Sequence, residues 1–260
     1  MLKDKIVLIT GASAGIGEAC AHAFAREGCR LILSARRADR LEAVAGYLEA
    51  QFDTSCHLMA LDVRDRAQVD AAVEALPPAW NTIDILINNA GLSRGLDKIQ
   101  DGAWLDWEEM IDTNVKGLLW VSRAVMPGMV RRDGGHVVNI GSVAGHQVYP
   151  AGNVYCATKH AVRALTQGMR LDLMGTKVRC STVDPGLVET EFSAVRFRGD
   201  TERAGKTYQN FPPLRAEDIA ETVLFCATRP PHVNIHEVLV MPQDQAAVYA
   251  SHPRGIGQDL

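Results

Sequence analysis

Tyr155 and Lys159 stand four apart in Tyr155-Cys156-Ala157-Thr158-Lys159, at the start of a stretch with helical periodicity. That spacing puts a phenol and an ammonium on one helical face, one turn apart. A free phenol titrates near 10, too high for a base at neutral pH, but a neighbouring cation favours the phenolate. A tyrosine so placed can give or take a proton at an alcohol or carbonyl oxygen. Ser142, just after the strand-like run Val137-Val138-Asn139-Ile140, is a candidate to hold that oxygen by a hydrogen bond. Taken alone, a Tyr-x-x-x-Lys pair is also what an exposed helix presents, so its company decides.

A second cluster lies at the other end of the chain. After Ile6-Val7-Leu8-Ile9 comes Thr10-Gly11-Ala12-Ser13-Ala14-Gly15-Ile16-Gly17, which leads into a helix. Without a Cβ, Gly11, Gly15 and Gly17 let the chain turn tightly and bring amide groups and a helix N-terminus close to a pyrophosphate. The spacing is G-x-x-x-G-x-G, a departure from the commoner G-x-G-x-x-G. About 20 residues further on, a dinucleotide-binding unit places the residue that meets the adenosine ribose. Here that point reads Ser34-Ala35-Arg36-Arg37. A carboxylate there would repel a 2′-phosphate, whereas guanidinium forks bind its oxygens, and Arg36 or Arg37 could also stack on adenine. NADP is therefore expected in preference to NAD. The competing reading makes both arginines the exposed start of a helix, with Asp39 and Glu42 nearby.

The elements that must hold these groups follow from periodicity. Short β-branched runs recur at 6–9, 31–33, 83–87, 137–140 and 178–183, with helical patterns between them, as at 18–27 and 68–76. Strands alternating with helices imply parallel crossovers and an α/β doubly wound sheet, and the near-continuous hydrophobicity of the strands fits a sheet covered on both faces. No linker, repeat or low-complexity tract interrupts the alternation, so residues 1–260 are expected to form a single Rossmann-type domain. Asn88-Asn89-Ala90-Gly91 and Ser142 both follow strands, at the sheet edge where ligands of such folds collect. The segment 187–214 is long, charged and punctuated by Gly199, Gly205, Pro212 and Pro213, and is expected to be a lid over the substrate.

Composition narrows the partners. A net charge of -4 offers no basic field for nucleic acid or an anionic membrane. No apolar run approaches the roughly 20 residues that cross a bilayer, and Met1-Leu2-Lys3-Asp4-Lys5 does not resemble a signal peptide, so a cytoplasmic location is expected. The six cysteines are scattered, with neither C-x-x-C nor knuckle spacing, and read as buried thiols. His232 and His236 are i, i+4 but lie beside Pro230-Pro231 without a third ligand, so no metal is expected.

Taken together, residues 10–17 and 88–91, Asn114, Ser142, Tyr155 with Lys159, and Pro185-Gly186 resemble the short-chain dehydrogenase/reductase family, in order and over nearly the whole chain. The resemblance implies a catalytic tetrad: Tyr155 as acid/base, Ser142 stabilising the reacting oxygen, Lys159 binding the nicotinamide ribose, and Asn114 holding a water in the proton relay. It also implies that Gly11, Ser13, Gly15, Ile16 and Gly17 line the cofactor, Asp62 and Val63 its adenine, and Asn89 its central region. Tyr155, Lys159, Pro185, Gly186, Val188 and Thr190 would then lie on the nicotinamide side. In this family the variant glycine spacing is the usual form.

Longer stretches at 107–114, 124–130, 152–155, 184–188 and 191–197 are similar to the family's NADP-dependent 3-hydroxy acid (serine) dehydrogenase branch, with sulfoacetaldehyde reductases as close relatives in it. A small anion entering a closed pocket needs a cation beside the reacting carbon. The lid offers Arg196, Arg198, Arg203 and Lys206; Arg196 is the candidate, with Tyr149 as a hydrogen-bonding partner, against the reading that these arginines meet solvent or another subunit. A reductase of bulkier neutral carbonyls would be expected to have an apolar lid. A cofactor-sensing regulator would be expected to have lost part of the tetrad, and all four positions are filled. Helices around 107–132 and 153–174 resemble those that pair subunits in the family, implying a homodimer or homotetramer.

Overall fold

The structure, a computed structural model, describes residues 2–206, 208 and 211–252, the side chains of Thr201, Ala204 and Lys206 excepted. Residues 253–260 lie outside the described residues.

The first half alternates without exception: β1 (Ile6–Thr10), α1 (Gly15–Arg26), β2 (Arg30–Ala35), α2 (Ala38–Phe52), β3 (Cys56–Ala60), α3 (Arg66–Glu74) and β4 (Ile85–Asn88). Then come α4 (Trp104–Ile111), α5 (Leu118–Arg131), β5 (Gly135–Ile140), α6 (Asn153–Asp172) and β6 (Val178–Pro185). Next are β7 (Val188–Glu189), α7 (Phe192–Arg196), α8 (Thr201–Lys206), β8 (Leu214–Arg215), α9 (Ala216–Ala227) and β9 (Glu237–Val240). A last hairpin joins β10 (Gln245–Ala247) to β11 (Ala250–Ser251).

Seven parallel strands run β3-β2-β1-β4-β5-β6-β9. Chain order reverses between β1 and β4, and loops leaving the carboxyl ends of those strands open the crevice where such sheets take ligands. Side chains alternate across the pleat. Val7, Ile9, Leu31, Leu33, Ile85 and Ile87 therefore pack under α1, α2 and α9. Ile6, Leu8, Ile32, Leu86 and Val137 pack under α3, α5 and α6 on the other face. Two strands escape the periodicity analysis. β3 is the sheet edge and half exposed, and β9 is short and only partly buried, so neither carries the continuous apolar run of a central strand.

Two regions differ from expectation. The helix expected through 107–132 is not one regular helix: between α4 and α5 the backbone widens into a π-helical turn, Asp112–Gly117, which contains Asn114. Such a turn re-aims side chains by one residue and is frequent at functional sites. The 187–214 segment is more ordered than its composition suggests, because β7 pairs with β8 and α7 and α8 lie between them. No helix among the described residues is long and apolar enough to cross a membrane.

Candidate active site

A cavity of about 580 Å³ runs along the carboxyl edge of the sheet. At one end it is built from the β1–α1 turn. Gly11 and Gly15 have φ of +66° and +57°, which side-chain-bearing residues rarely adopt. Gly17 answers a different need: a Cβ there would overlap the carbonyl of Gly11 and the amide of Asn89. Ser13, Ile16, Gly11 and Gly15 line the cavity, while Gly17 lies behind it as a packing position. The N-terminus of α1 has no side-chain cap, leaving its first amides to whatever the cavity holds.

Asn89 ties the turn to β4. Its amide donates to the carbonyls of Thr10 and Gly11 at 2.9 and 3.2 Å, while Thr10 Oγ1 accepts from the backbone of Asn89 at 3.0 Å. Asp62 and Val63 line the same wall. Burial alone would raise the Asp62 carboxyl, but hydrogen bonds from Arg64 more than offset it and hold the group below the ordinary carboxylate range.

Arg36 and Arg37 both reach the cavity. Arg37 donates to Ser13 Oγ at 3.2 Å and to Glu191 Oε2 at 3.2 Å, and Arg40 donates to Glu191 Oε1 at 2.7 Å. Arg37 thus bridges Ser13, which accepts from it, and Glu191, and together with Arg40 it forms a pair of cationic donors on which a carboxylate already sits. The hydrogen bond from Arg40 is the main influence holding Glu191 below its ordinary carboxylate value; burial opposes it, and the hydrogen bond from Arg37 and the charges of both arginines add to the lowering. A 2′-phosphate needs such a set of donors, and the close-approach glycines and uncapped α1 suit a pyrophosphate, so these residues fit a dinucleotide. Arg40 and Glu191 did not stand out in sequence, because a surface helix and a charged lid supply arginines and acids at many positions.

At the other end, Tyr155 and Lys159 are both buried on the inner face of α6. Burial drives the Tyr155 phenol well above its ordinary value; the positive charge of Arg196 and a hydrogen bond with Ser142 oppose it. Ser142 Oγ accepts from Ala144 N at 3.1 Å, which fixes its rotamer toward the cavity. Lys159 Nζ donates to Ile140 O at 2.9 Å and lies 6.0 Å from the Tyr155 ring centre. Burial pulls the Lys159 amine down to about 8, partly countered by the carboxylate of Asp184.

Asn114 sits behind these groups. Its Oδ1 accepts from Leu92 N and its Nδ2 donates to Leu92 O, both at 2.8 Å, and to Thr158 Oγ1 at 3.0 Å. The π-helical turn thus aims it at the β4 loop, and it faces Gly91 together with Lys159.

The segment 187–214 lines the cavity through Val188, Thr190 and α7, next to Pro185 and Gly186 at the end of β6. Arg196, the last residue of α7, lies with its guanidinium 5.3 Å from the ring centres of both Tyr155 and Phe192 and donates to Tyr149 Oη at 3.1 Å. Its Nε is buried without a hydrogen-bond partner. The other lid arginines go elsewhere: Arg198 pairs with Asp106 outside the cavity, and Arg203 stacks over Phe197 at 4.5 Å. Tyr208 and Phe211, from the segment 187–214, also line the cavity, as do Gln245 and Tyr249 from the terminal hairpin, which no local pattern marks.

His146, Asp184 and Glu237 bring ligand-type atoms within 4.8 Å of one another. His146 Nε2 bonds Asp184 at 2.8 Å while Arg163 forks onto Glu237 at 2.8 and 3.2 Å, an ion-pair network beside Lys159. His232 and His236 lie in an irregular segment between α9 and β9, so their spacing places them on no helical face.

Residues 5–200 match the family model described as short chain dehydrogenase. The chain is 50% identical over 242 residues to the NADP-dependent 3-hydroxy acid dehydrogenase YdfG of Salmonella typhi, covering 93% of this chain and 96% of that one. It is 44% identical over 245 residues to the NADP-dependent 3-hydroxy acid dehydrogenase of Schizosaccharomyces pombe, covering 94% and 95%. Among solved structures, the closed form of a serine dehydrogenase complexed with NADP+ superposes with a TM-score of 0.89 at 46% identity, covering 96% of this chain and 99% of that one. With a parallel sheet opening at its switch point onto a glycine-turn crevice, and the family model spanning most of its length, the chain belongs to the short-chain dehydrogenase family.

Proposed function

We propose that this protein is an NADP(H)-dependent oxidoreductase that interconverts a small anionic hydroxy compound, a 3-hydroxy acid such as serine or 3-hydroxypropionate, and its aldehyde or ketone. The observation that carries the substrate class is Arg196: a cation beside the Tyr155 ring, held by Tyr149, with a buried N–H that has no partner. A buried donor of this kind gains a charge-assisted bond when a carboxylate enters. The Arg37 and Arg40 donors, with Ser13 Oγ orienting Arg37, support the 2′-phosphorylated cofactor.

When bound, the nicotinamide gives or takes the hydride. Ser142 holds the substrate oxygen, its own hydroxyl oriented by the Ala144 amide. Tyr155 exchanges the proton with that oxygen. Burial raises the phenol, while the charge of Arg196, 5.3 Å from its ring centre, and a hydrogen bond with Ser142 favour the ionised form; the Lys159 ammonium lies 6.0 Å from the same ring centre. Lys159 would hold the nicotinamide ribose, and Asn114, bonded to Leu92 and Thr158, would hold the relay water behind it. The lid excludes water from the reacting atoms.

Initial rates of NADPH oxidation with malonic semialdehyde, sulfoacetaldehyde and a bulky neutral ketone, with NADH in parallel, test this reading. Preference for the carboxylate, lost in Tyr155→Phe, is expected. Preference for the sulfonate would make the protein a sulfoacetaldehyde reductase, and preference for the neutral ketone would overturn the anionic substrate.

The protein is expected to work as a homo-oligomer, dimer or tetramer. Supporting this, Trp104 and Leu105 on α4 and Leu171 on α6 are large apolar side chains left about 70% exposed in a single chain. Light scattering gives the stoichiometry. Its six cysteines are unpaired, as in a reducing cytoplasm.

A further inference from the structure

Arg196 is the terminal residue of α7, a helix of only five residues. Such a helix does not hold its own shape in water, and its last carbonyls need partners from outside. Two of them come from the loop after β4. The Arg94 guanidinium donates to the carbonyl of Val195, and the backbone N–H of Gly95 donates to the carbonyl of Arg196 at 3.1 Å. Arg94 is itself locked, since its Nε and Nη2 fork onto Glu109 of α4 at 2.7 and 3.0 Å, with both side chains less than a fifth exposed. The hydrogen bond from Arg94 is the main influence holding Glu109 below its ordinary carboxylate value, against an opposing effect of burial, and Arg64 adds a further positive charge at 3.6 Å.

Arg94 has a planar fork facing one acid and a remaining arm facing one carbonyl, a geometry that a single ammonium cannot reproduce. The fork reaches across from α4 to the end of the lid helix, while Arg198 and Asp106 add a second, more exposed tie between the same elements. Neither Arg94 nor Glu109 lines the large cavity. Their effect on the site passes through the backbone of Val195 and Arg196.

We infer that Arg94, locked by Glu109, is a positioning residue that fixes where the Arg196 guanidinium stands over Tyr155, and thereby sets the discrimination between anionic and neutral substrates. The inference rests on the reading of Arg196 as the anion-binding cation. Bidentate geometry makes it a specificity device: a displacement of about 1 Å at the end of α7 takes the guanidinium out of line with a carboxylate but leaves Ser142 and Tyr155, on other elements, where they were.

The test compares wild type with Arg94→Met, Arg94→Lys, Glu109→Gln and Arg196→Gln. KM and kcat are measured for an anionic aldehyde and a neutral aldehyde of similar size, together with the Kd for NADPH. Arg94→Met is expected to raise KM for the anionic aldehyde between about 5-fold and about 50-fold. Its kcat, its KM for the neutral aldehyde and the NADPH Kd should stay within about 2-fold of wild type. Arg94→Lys, which keeps one donor for Val195, and Glu109→Gln, which keeps a neutral acceptor, should fall between. Equal loss on both aldehydes would make the pair merely structural and overturn the inference, as would no loss on either. Should Arg196→Gln leave the anionic preference intact, the anion reading itself fails, and the brace loses its proposed purpose with it. Loss of that preference in Arg196→Gln but not in Arg94→Met would refute the brace alone.

Discussion

Replacing Arg37 with alanine should turn a cofactor preference into near indifference, and the size of the change follows from what Arg37 touches. Its guanidinium donates to Ser13 Oγ and to one oxygen of Glu191, so the fork is already oriented toward an anion. A hydrogen bond to a charged group contributes about 1.5–3 kcal/mol. The Arg37 side chain is 43% exposed, and solvent screening brings the expectation below the middle of that range, to about 1–2 kcal/mol. Arg37→Ala should therefore weaken NADPH binding by about 5- to 30-fold and leave NADH within about 2-fold. Glu191→Gln should act in the opposite sense. Glu191 sits on Arg37 and Arg40 where the 2′-phosphate would sit, so removing its charge relieves a competitor whose exposed pairs contribute about 0.2–1 kcal/mol, and NADPH should bind up to about 5-fold more tightly. Both constants come from quenching of intrinsic fluorescence at two salt concentrations. Equal weakening of NADPH and NADH by Arg37→Ala would refute the assignment of the phosphate site. Weaker NADPH binding in Glu191→Gln would show that Glu191 orders the arginines and does not compete for them.

Tyr155→Phe removes the phenol proton proposed to pass to and from the reacting oxygen and should lower kcat by about 10²- to 10⁴-fold with little change in NADPH affinity; stopped-flow hydride transfer checks it. Gly17→Ala puts a methyl group into the Gly11 carbonyl, and should lose about 1–3 kcal/mol of stability by denaturant unfolding as well as at least about 10-fold in NADPH affinity. Stability should fall with acid through His136. This side chain is buried between strands, with Nε2 on Ser181 Oγ at 2.8 Å, and burial followed by the charge of Arg179 pushes it down from 6.5 to about 3. The unfolded chain therefore takes up a proton below pH 6.5 that the folded chain refuses until near pH 3. The contribution is fully present above pH 6.5 and is lost as pH falls, about 2 kcal/mol between pH 6.5 and 5. His136→Asn should flatten that slope in urea titrations.

What the sequence by itself determined is whatever a short stretch of chain can encode. The glycine turn is legible because positive φ at Gly11 and Gly15 and the close packing at Gly17 are demands only glycine meets. Tyr155 and Lys159 share a face because one helical turn separates them, and β1, β2 and β5 show as apolar runs because both their faces are covered. β3 and β9 were not legible, since an edge or half-exposed strand alternates weakly. Only the tertiary structure decided which of the lid's arginines faces the cavity. Arg196 and Arg198 are two residues apart and chemically alike, yet Gly95 and Arg94 turn one inward over Tyr155 while Asp106 draws the other out. The same holds for Arg37, Arg40 and Glu191, brought together across some 150 residues of chain. The physical reason is that local rules fix backbone dihedrals and spacing along one element, whereas the partner of a long, charged side chain is set by the packing of elements remote in sequence. The groups proposed to react are local features held on α6 and at the ends of strands, whereas those proposed to select the ligands meet only through long-range packing.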